Sequence, residues 1–194
     1  MGSSGALTAA AFELFCNFKN LSQLELKEKL AESENYFHGN SSGLDPLTIY
    51  LNKTILVDGP EIITVNDPKF NGHFALVNSD MKRNTKTLVT YYKSQVNKSR
   101  FANALIELNK HNEEAIHALL SSDMEALRPI MHNISKLQYQ YFDYMIPKHM
   151  KNTWKEGLDT GDYSMKLSGA GGGGYFLVFG DITSIKKKYS LIKL

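Results

Sequence analysis

The chain is poor in cysteine, tryptophan and net charge. Its 194 residues contain one cysteine, Cys16, and one tryptophan, and the formal charge at pH 7 is +2. A single cysteine excludes an internal disulfide, and near-neutrality gives no basis for binding nucleic acid or a membrane surface. No run of about 18 apolar residues is present, which excludes a membrane-spanning helix. With no signal peptide and no disulfide framework, we expect a cytoplasmic globular protein.

The chain also lacks the motifs of the commonest phosphate-transfer enzymes. It has no Gly-x-x-x-x-Gly-Lys-Ser/Thr loop, and it has no His-Arg-Asp or Asp-Phe-Gly set. These absences exclude the two most common kinase architectures. Any nucleotide chemistry therefore needs a different phosphate-binding loop.

Glycine is concentrated at one place. The segment 166–174 reads Lys-Leu-Ser-Gly-Ala-Gly-Gly-Gly-Gly and holds five of the fourteen glycines. Such a loop lets successive backbone N–H groups face one way and lets a phosphate or another backbone come close. A tight turn or a flexible linker is the alternative. The strand-like run Tyr175–Phe179 follows at once, which favours a loop fixed against a sheet.

The start of the chain is a second place where a phosphate could bind. Gly-Ser-Ser-Gly at 2–5 precedes Ala6–Phe15, whose residues strongly favour helix. In one interpretation the serines cap this helix. In the other, their hydroxyls and the free N–H groups hold a phosphate and its metal ion. An expression-tag remnant is a further explanation, whereas Ala6 excludes a myristoylation signal.

The rest of the chain predicts an α+β fold in which helix predominates. Helices are predicted over 24–37, 181–188 and almost all of 83–154, with breaks near 97–99, 121–123 and 147. Strands are predicted over 47–57, 61–65, 73–78, 163–168, 175–179 and 190–194, the last of them at a sheet edge. The aromatic cluster within 139–144 has helical spacing, so we interpret it as core rather than as a ligand site.

Two carboxylates, Glu34 and Asp45, lie on either side of the turn His-Gly-Asn-Ser-Ser-Gly-Leu at 38–44. Taken singly, Glu34 is a solvated helix carboxylate and Asp45 is a turn residue before Pro46. Phosphoryl transfer, however, requires a phosphate cradle, a Mg²⁺ held by a hydroxyl and a carboxylate, and a second carboxylate facing the acceptor hydroxyl. The helix start, this turn and the glycine-rich segment supply all of these in a fixed order.

In that order the three segments resemble the second and third motifs of the GHMP kinases, a family that includes galactokinase, homoserine kinase, mevalonate kinase and phosphomevalonate kinase. Met1–Ala6 is similar to the family's Gly-Leu-Gly-Ser-Ser-Ala loop, and 166–174 is similar to its Lys-hydrophobic-Thr/Ser-Gly-Ala-Gly-Gly-Gly-Gly motif. The segments 34–45 and 76–89 resemble the mevalonate kinase branch in particular, with Ser41 in place of the usual Pro.

The resemblance implies roles for individual residues. The residues that would hold ATP are Gly2, Ser3, Ser4, Gly5, Ser168, Gly169, Ala170, Gly171 and Gly172. Mg²⁺ would be held by Ser4 and Glu34, and Asp45 would be the catalytic carboxylate that orients and deprotonates the acceptor hydroxyl. The Lys that completes the charge balance beside the catalytic carboxylate in the family has no assignable counterpart here.

The resemblance also implies a fold, a two-domain α/β architecture that is truncated at its N-terminus. Residues 1–80 would be the remainder of the N-terminal ATP-binding domain, with about three strands, and 81–194 the C-terminal domain, a helical bundle over a small antiparallel sheet. The family's first motif has no counterpart. We expect a fragment of a full kinase, or a sequence whose start was assigned too late in the reading frame, rather than a degenerate relative that has lost activity. Mutations that accumulate in an inactive relative would have removed Asp45 or the glycines first. This chain should then be a weak or inactive kinase.

The function that follows is transfer of the γ-phosphoryl group of ATP to the hydroxyl of mevalonate, in isoprenoid synthesis. One alternative is another acceptor of the same family, namely phosphomevalonate, homoserine or a sugar. Another is an inactive fragment that binds nucleotide. The expected partner is a small molecule rather than nucleic acid or a membrane, and the resemblance leaves a homodimer open.

Overall fold

The computed structural model describes residues 3–16, 20–38, 41–65, 73–82 and 85–194. The chain divides into two units, Met1–Asp67 and Pro68–Leu194, and each is described by itself. The domain division between residues 80 and 81 remains a prediction.

In the described part of the first unit, three helices precede a hairpin. The helices are α1 (Ser3–Phe15), α2 (Gln23–His38) and α3 (Leu44–Leu51), and the hairpin strands are β1 (Thr54–Asp58) and β2 (Glu61–Val65). The two strands pair in antiparallel fashion, so that their outer ends, Thr54 and Val65, lie opposite each other.

A small apolar core holds these helices together. Phe12 of α1, Leu26 and Leu30 of α2 and Leu47 of α3 are buried in one cluster. The ring of Phe12 meets that of Tyr50 edge to face, with 5.8 Å between the ring centroids. Each helix contributes side chains spaced three or four residues apart, which share one helical face. The core therefore fixes α1 against both α2 and α3.

The predicted strand over 47–57 is wrong in its first half. Residues up to Leu51 belong to α3, and β1 begins only at Thr54. The β-branched and aromatic content of this stretch favours a strand, but its apolar side chains reach the core at helical spacing and tertiary packing outweighs propensity. Asn52 ends the helix in the left-handed conformation, with φ of 48°. Asp45 consequently lies in the first turn of a helix.

The second unit contains the helical region predicted over 83–154. Its long helices are α4 (Thr85–Gln95), α5 (Ser99–Leu120), α6 (Met124–Tyr141) and α7 (Lys148–Thr160), and a 3₁₀ turn at Asp143–Met145 separates the last two. The predicted breaks near 97–99, 121–123 and 147 are confirmed.

A four-stranded antiparallel sheet lies against these helices. Its strands are β3 (Phe74–Asn78), β4 (Tyr163–Leu167), β5 (Tyr175–Gly180) and β6 (Leu191–Lys193), in the order β4-β5-β3-β6, and the short α8 (Thr183–Lys186) precedes β6. β6 is an edge strand, as predicted. The third predicted strand, β3, pairs with β5 and β6, so it belongs to this sheet and not to the sheet of the first unit.

Buried polar side chains fasten α6 to β4. The Ser135 hydroxyl oxygen accepts hydrogen bonds from the indole N–H of Trp154 at 2.8 Å and from the backbone N–H of Met165 at 3.2 Å. Gln138 Oε1 accepts the backbone N–H of Leu167 at 2.8 Å. Because Leu167 ends β4, these bonds fix the point from which the glycine-rich segment leaves the sheet.

The predicted fold class is confirmed, since the C-terminal half combines long helices with a small antiparallel sheet. Within the described ranges, no helix is both long and apolar enough to cross a bilayer. The interpretation of the aromatic cluster as core is correct for Phe142, which is buried, and for the partly buried Tyr139 and Tyr141 that pack on the core. Tyr144 is half exposed and stacks on Tyr91, with ring centroids 4.2 Å apart.

Candidate functional site

The predicted metal-binding pair, Ser4 and Glu34, meets at the start of α1. The Ser4 hydroxyl donates a hydrogen bond of 2.7 Å to Glu34 Oε1, although thirty positions separate the two residues in the sequence. Glu34 lies near the end of α2 and is 7% exposed. A buried carboxylate requires polar partners, and Ser4 is one of them. A hydroxyl and a carboxylate therefore lie together at a helix N-terminus, which is the combination the Mg²⁺ prediction needs.

Ser41 engages the other oxygen of the same carboxylate. Its hydroxyl donates to Glu34 Oε2 at 2.5 Å and accepts the backbone N–H of Gly43 at 3.0 Å. Its own N–H donates to the side chain of Asn35. No role for Ser41 was predicted, although a signal was present, because Ser41 stands where the similar mevalonate kinase motif has Pro. A serine has a hydroxyl that a proline lacks, and here this hydroxyl donates a hydrogen bond to Glu34.

Gly5 brings Asp45 to the same place. A methyl group on Gly5 would lie 3.1 Å from Asp45 Cβ and 3.1 Å from the Pro46 nitrogen, closer than almost all real Cβ contacts. The absence of a side chain on Gly5 therefore allows the first turn of α1 to approach α3. Asp45 lies directly beside Gly5, the residue that follows Ser4. Three of the predicted residues of the first unit, Ser4, Glu34 and Asp45, are therefore brought together.

The Asp45 side chain faces solvent. Asp45 lies in the first turn of α3 and is exposed, and its backbone carbonyl accepts the Thr48 hydroxyl at 2.9 Å. It forms no ion pair with any residue in the described ranges. A carboxylate near a helix N-terminus is stabilised by the helix dipole. Asp45 can therefore contact a small molecule without first breaking a salt bridge to any residue in the described part of the chain.

Some predicted site residues cannot be placed. Gly2 lies outside the described residues, as do Gly39 and Asn40 of the turn. Ser3 is the first residue of α1, but only its backbone is described. Among the described residues, no three His, Cys, Asp or Glu side chains cluster as metal ligands.

The glycine loop, Ser168–Gly174, lies in the second unit between β4 and β5. Its five glycines at 169, 171, 172, 173 and 174 have φ values of 67°, 68°, 71°, 156° and 71°. Side chains of L-residues are rarely accommodated at these angles, so the loop's path depends on glycine.

Two N–H groups of the glycine loop bond to the backbone of the second unit. The Gly172 N–H donates to the Met145 carbonyl at 2.6 Å, and the Gly174 N–H donates to the Met81 carbonyl at 2.8 Å. A methyl group on Gly171 would lie 2.7 Å from the same Met145 oxygen. The loop is thus packed against neighbouring backbone, as predicted, and the alternative of a linker is not supported. The Gly172 N–H already donates its hydrogen bond to the Met145 carbonyl.

The other glycine-loop N–H groups lack such a bond. Among the described residues, those of Gly169, Ala170, Gly171 and Gly173 form no backbone hydrogen bond to another loop or turn. Lys166 precedes the loop, and burial lowers the pKa of its ammonium group. Its Nζ donates a long hydrogen bond of 3.4 Å to the Leu167 carbonyl. Lys166, two residues before the loop, is therefore a buried cation whose charge is offset by only this long hydrogen bond among the contacts of the described residues.

A cavity of about 170 Å³ opens beside the start of the glycine loop. Its lining residues come from α4, from α6 and the residue after it, from the 3₁₀ turn, from the end of β4 and from the loop: Leu88, Val89, Tyr92, Gln138, Phe142, Met145, Leu167, Gly169 and Ala170. No local pattern in the sequence marks this cavity, because its walls come from separate segments of the chain.

Comparison with known proteins gives one similar curated sequence. The D-glycero-α-D-manno-heptose 7-phosphate kinase of Campylobacter jejuni is 22% identical over 206 residues, an alignment that covers 100% of this chain and 60% of that protein. No protein-family model matches the chain.

Solved structures are similar in fold. The mevalonate kinase of L. major in complex with R-mevalonate superposes with a TM-score of 0.70 at 18% identity, over 99% of this chain and 64% of that one. Streptococcus pneumoniae phosphomevalonate kinase in complex with phosphomevalonate and AMPPNP gives a TM-score of 0.68 at 16% identity, over 95% and 65%. The chain thus has a GHMP-kinase-like fold and spans less than two thirds of the length of these relatives.

Proposed function

We propose that this chain is part of a small-molecule kinase of the GHMP type, which transfers the γ-phosphoryl group of ATP to the hydroxyl of a small alcohol. The first candidate for that alcohol is mevalonate, which would place the reaction in isoprenoid synthesis. The observation that carries the proposal is the meeting of Ser4, Glu34 and Asp45 at the start of α1. The three similar proteins named above are all kinases of small molecules, which supports the same class.

The start of α1 would bind the phosphates of ATP. The first turn of a helix has N–H groups without intrahelical partners, and the helix dipole favours an anion there. Gly5, in this first turn, has no side chain. The hydroxyl of Ser4 adds a polar group to the same turn. The nucleotide analogue AMPPNP in the similar phosphomevalonate kinase supports ATP as the phosphoryl donor.

Ser4 and Glu34 would hold Mg²⁺. This ion prefers oxygen ligands, keeps several waters and needs only one or two carboxylates when phosphates are present. One hydroxyl and one carboxylate at 2.7 Å from each other fit that requirement. When bound, the ion neutralises charge on the phosphates during transfer. The Ser41 hydroxyl, bonded to the second oxygen of Glu34, would keep the carboxylate oriented.

Asp45 would act on the acceptor. Its exposed carboxylate can accept a hydrogen bond from the acceptor hydroxyl, orient that hydroxyl toward the phosphoryl group and take its proton. The rate gain from such positioning and charge is felt mainly in the transition state. For the glycine loop, the role in ATP binding stays a prediction, and within the described residues Gly172 is the one predicted loop position whose N–H donates to the backbone of another loop or turn.

Other acceptors and an inactive chain are the alternatives. The similarity to the heptose 7-phosphate kinase favours a sugar phosphate, and the similarity to the phosphomevalonate kinase favours phosphomevalonate. Because the chain spans 60% to 65% of these proteins, a fragment that binds nucleotide without turnover is also a candidate.

The test is an acceptor panel with two readouts. The 194-residue chain, and any longer product of the same reading frame, is supplied with Mg·ATP and with mevalonate, phosphomevalonate, heptose 7-phosphate, homoserine or galactose. ADP release and phosphorylated acceptor are measured together, and ATP binding is measured separately by calorimetry. We expect acceptor-dependent ADP release to be highest with mevalonate. Failure of every product to bind Mg·ATP would overturn the proposal, whereas binding without turnover would favour the fragment.

A further inference from the structure

One side of α1 is apolar and exposed. The helix reads Ser-Ser-Gly-Ala-Leu-Thr-Ala-Ala-Ala-Phe-Glu-Leu-Phe, with one charged residue among thirteen. A helix that is apolar on all sides is normally buried on all sides. The side that holds Phe12 packs in the core of the first unit, but Leu7, Leu14 and Phe15 are 69%, 76% and 84% exposed. The described part of the chain therefore leaves one side of α1 open to solvent.

The residues on this open side form a symmetric pattern. Leu7, Ala10, Ala11 and Leu14, which we call the α1 stripe, recur at intervals of three and four and share one helical face. Their order is the same in both chain directions, namely a leucine, two alanines and a leucine. When two such helices pack antiparallel about a two-fold axis between Ala10 and Ala11, each Leu7 meets the Leu14 of the other copy. The small alanines at the axis let the helices come close, so the stripe is complementary to a second copy of itself.

A groove of about 640 Å³ lies beside the α1 stripe. Leu7, Ala11 and Phe15 line it from α1, and Ser33 lines it from α2. In the antiparallel arrangement, Leu14 of the second copy lies beside Leu7 and Ala11, where it can enter the groove. An exposed leucine and an open groove on the same surface satisfy the requirement of a two-fold interface, in which one patch provides both partners.

The α1 stripe carries no charge. The one charged residue of the helix is Glu13, whose carboxylate accepts a hydrogen bond from the Tyr50 hydroxyl of α3. In a two-fold interface each residue near the axis lies close to its own copy, so a charge there would oppose pairing. The α1 stripe avoids this cost because all four of its residues are leucine or alanine.

The exposed area is large enough for a small interface. Leu7, Leu14 and Phe15, together with Ala10 and Ala11, expose roughly 500 Å² per copy, an apolar patch near the upper end of what a monomer tolerates. A symmetric pair would bury about twice that, roughly 1,000 Å², which is the lower limit for a specific interface.

The first unit has a small core with which to offset this exposure. Its apolar cluster contains four buried side chains among the described residues, Phe12, Leu26, Leu30 and Leu47. A unit of fewer than about 70–80 residues gains little stability from a single core, and association is a common remedy. Burial of the α1 stripe would give the unit a second apolar core.

We propose that this chain forms a symmetric dimer through α1. The two helices cross antiparallel at Ala10 and Ala11, and each Leu7 packs against the Leu14 of the second copy. The surface that covers the α1 stripe is thus another copy of the same chain. The proposal goes beyond the proposed function and does not depend on the kinase assignment, because it concerns a face of the first unit and involves no ligand.

The first experiment is analytical ultracentrifugation of the whole chain without nucleotide. From an interface of this size we expect a micromolar dissociation constant, so the chain should be mainly monomer at about 1 µM and mainly dimer at about 200 µM. A monomer at every concentration would overturn the proposal. Oligomers that grow beyond two copies would also overturn it, because a two-fold pair uses both copies of the face.

A matched pair of variants tests whether α1 is the interface. Leu14→Glu buries an unpaired charge in the dimer, and we expect the dissociation constant to rise about tenfold or more. Ile106→Glu makes a similar change on α5, where Ile106 is 68% exposed, and should leave the dissociation constant unchanged. Both variants should unfold thermally close to the parent, because both side chains are exposed. No weakening by Leu14→Glu, or equal weakening by both variants, would overturn the proposal.

A charge pair tests the antiparallel register. Leu7→Lys alone should weaken the dimer, as Leu14→Glu does. In the doubly substituted chain each Lys would face a Glu of the other copy, so we expect the dissociation constant to fall about tenfold from that of either single variant. A parallel arrangement would instead place like charges opposite each other. If the double variant is no better than the single variants, the proposed register is wrong.

Two further measurements close the test. If Leu14→Glu fails to fold, Leu14→Gln removes the same apolar side chain without adding a charge, with Ile106→Gln as its control, and the expected difference is the same. Any longer product of the same reading frame is also examined by ultracentrifugation. A longer product that stays monomeric would overturn the proposal, because its additional polypeptide would then cover the α1 stripe in place of a second copy.

Discussion

The Ser4 hydroxyl and the Glu34 carboxylate form a hydrogen bond of 2.7 Å at the N-terminus of α1, across thirty positions of the sequence. This bond has two consequences. It attaches α1 to α2, and it sets a hydroxyl beside a carboxylate where a phosphate-bound metal ion would lie. A structural role and a metal-binding role predict different results for the same substitution.

Glu34→Gln tests the metal-binding role. Glutamine keeps the size of the side chain and one acceptor oxygen for Ser4, so we expect the protein to stay folded. Loss of the negative charge should raise the Mg²⁺ concentration needed and weaken Mg·ATP binding on the order of tenfold or more. The measurement is ATP affinity by calorimetry over a range of Mg²⁺ concentrations.

The control for that substitution is Glu32→Gln. Glu32 lies on the same helix and is exposed, where it pairs with Lys29 at 3.0 Å. Its removal should change neither the Mg²⁺ requirement nor, beyond a few tenths of a kcal/mol, the stability. If Glu34→Gln behaves like Glu32→Gln in the ATP titration, Glu34 is only a structural residue.

Asp45→Asn tests the catalytic role, in whichever product of the gene shows turnover. We expect kcat to fall by a factor on the order of 10² or more while Mg·ATP affinity stays nearly constant, since the carboxylate acts on the acceptor in the transition state. Stability should hardly change, because Asp45 is exposed and has no ion pair within the described ranges. Steady-state kinetics and thermal unfolding check both parts. A kcat within a few-fold of the parent would contradict the assignment.

Gly171→Ala tests the packing of the glycine loop. A left-handed φ alone costs an L-residue about 1–2 kcal/mol, and Gly171 has φ of 68°. A methyl group there would also meet the Met145 carbonyl oxygen at 2.7 Å, and overpacking adds about 1–3 kcal/mol. We therefore expect a loss of unfolding free energy larger than for a glycine that is strained in φ only.

Gly161→Ala is the matched comparison. Gly161 has φ of 75°, but a methyl group on it would meet no atom within 4 Å. Urea unfolding of both variants gives the two free energies of unfolding, and their difference reports the contacts of the added methyl group with Met145 and Leu167. Equal losses would mean that the loop can shift away from Met145 at no cost.

Lys166→Met tests the effect of burying an ammonium group. Burial lowers the pKa of Lys166 from its ordinary value of 10.5, so between the lowered pKa and 10.5 the folded chain binds fewer protons than the unfolded chain. Stability therefore rises with pH across this window, as the cost of the buried charge is relieved. We expect Lys166→Met to be more stable than the parent at neutral pH, with a difference that shrinks as the pH approaches 10.5. Lys187→Met, at an exposed position, should show no such difference. Urea unfolding at several pH values measures it.

The four long helices of the second unit were predictable from the sequence because their signals are local. Apolar residues recur at helical spacing through 101–141, and the break before α6 is marked by Asp123, whose side chain accepts the N–H of Ala126 at 2.9 Å. Each signal acts within one or two turns of chain, so it survives without knowledge of the fold. The glycine loop and the two carboxylates were identifiable for a similar reason, because their residue types and order resemble a known family.

The tertiary structure decided what depends on residues far apart in the chain. Leu47–Leu51 has strand-like composition but forms a helix, because the core made by Phe12 and Leu30 selects helical spacing. The bond between Ser41 and Glu34, and the cavity lined by Gln138, Leu88 and Ala170, arise only when separate segments pack. Sequence by itself determined the identities and order of the chemical groups, since these are carried by the residues. Their meeting at the start of α1 required the fold, because contact between distant residues is set by the burial of apolar surface over the whole unit and not by local propensity.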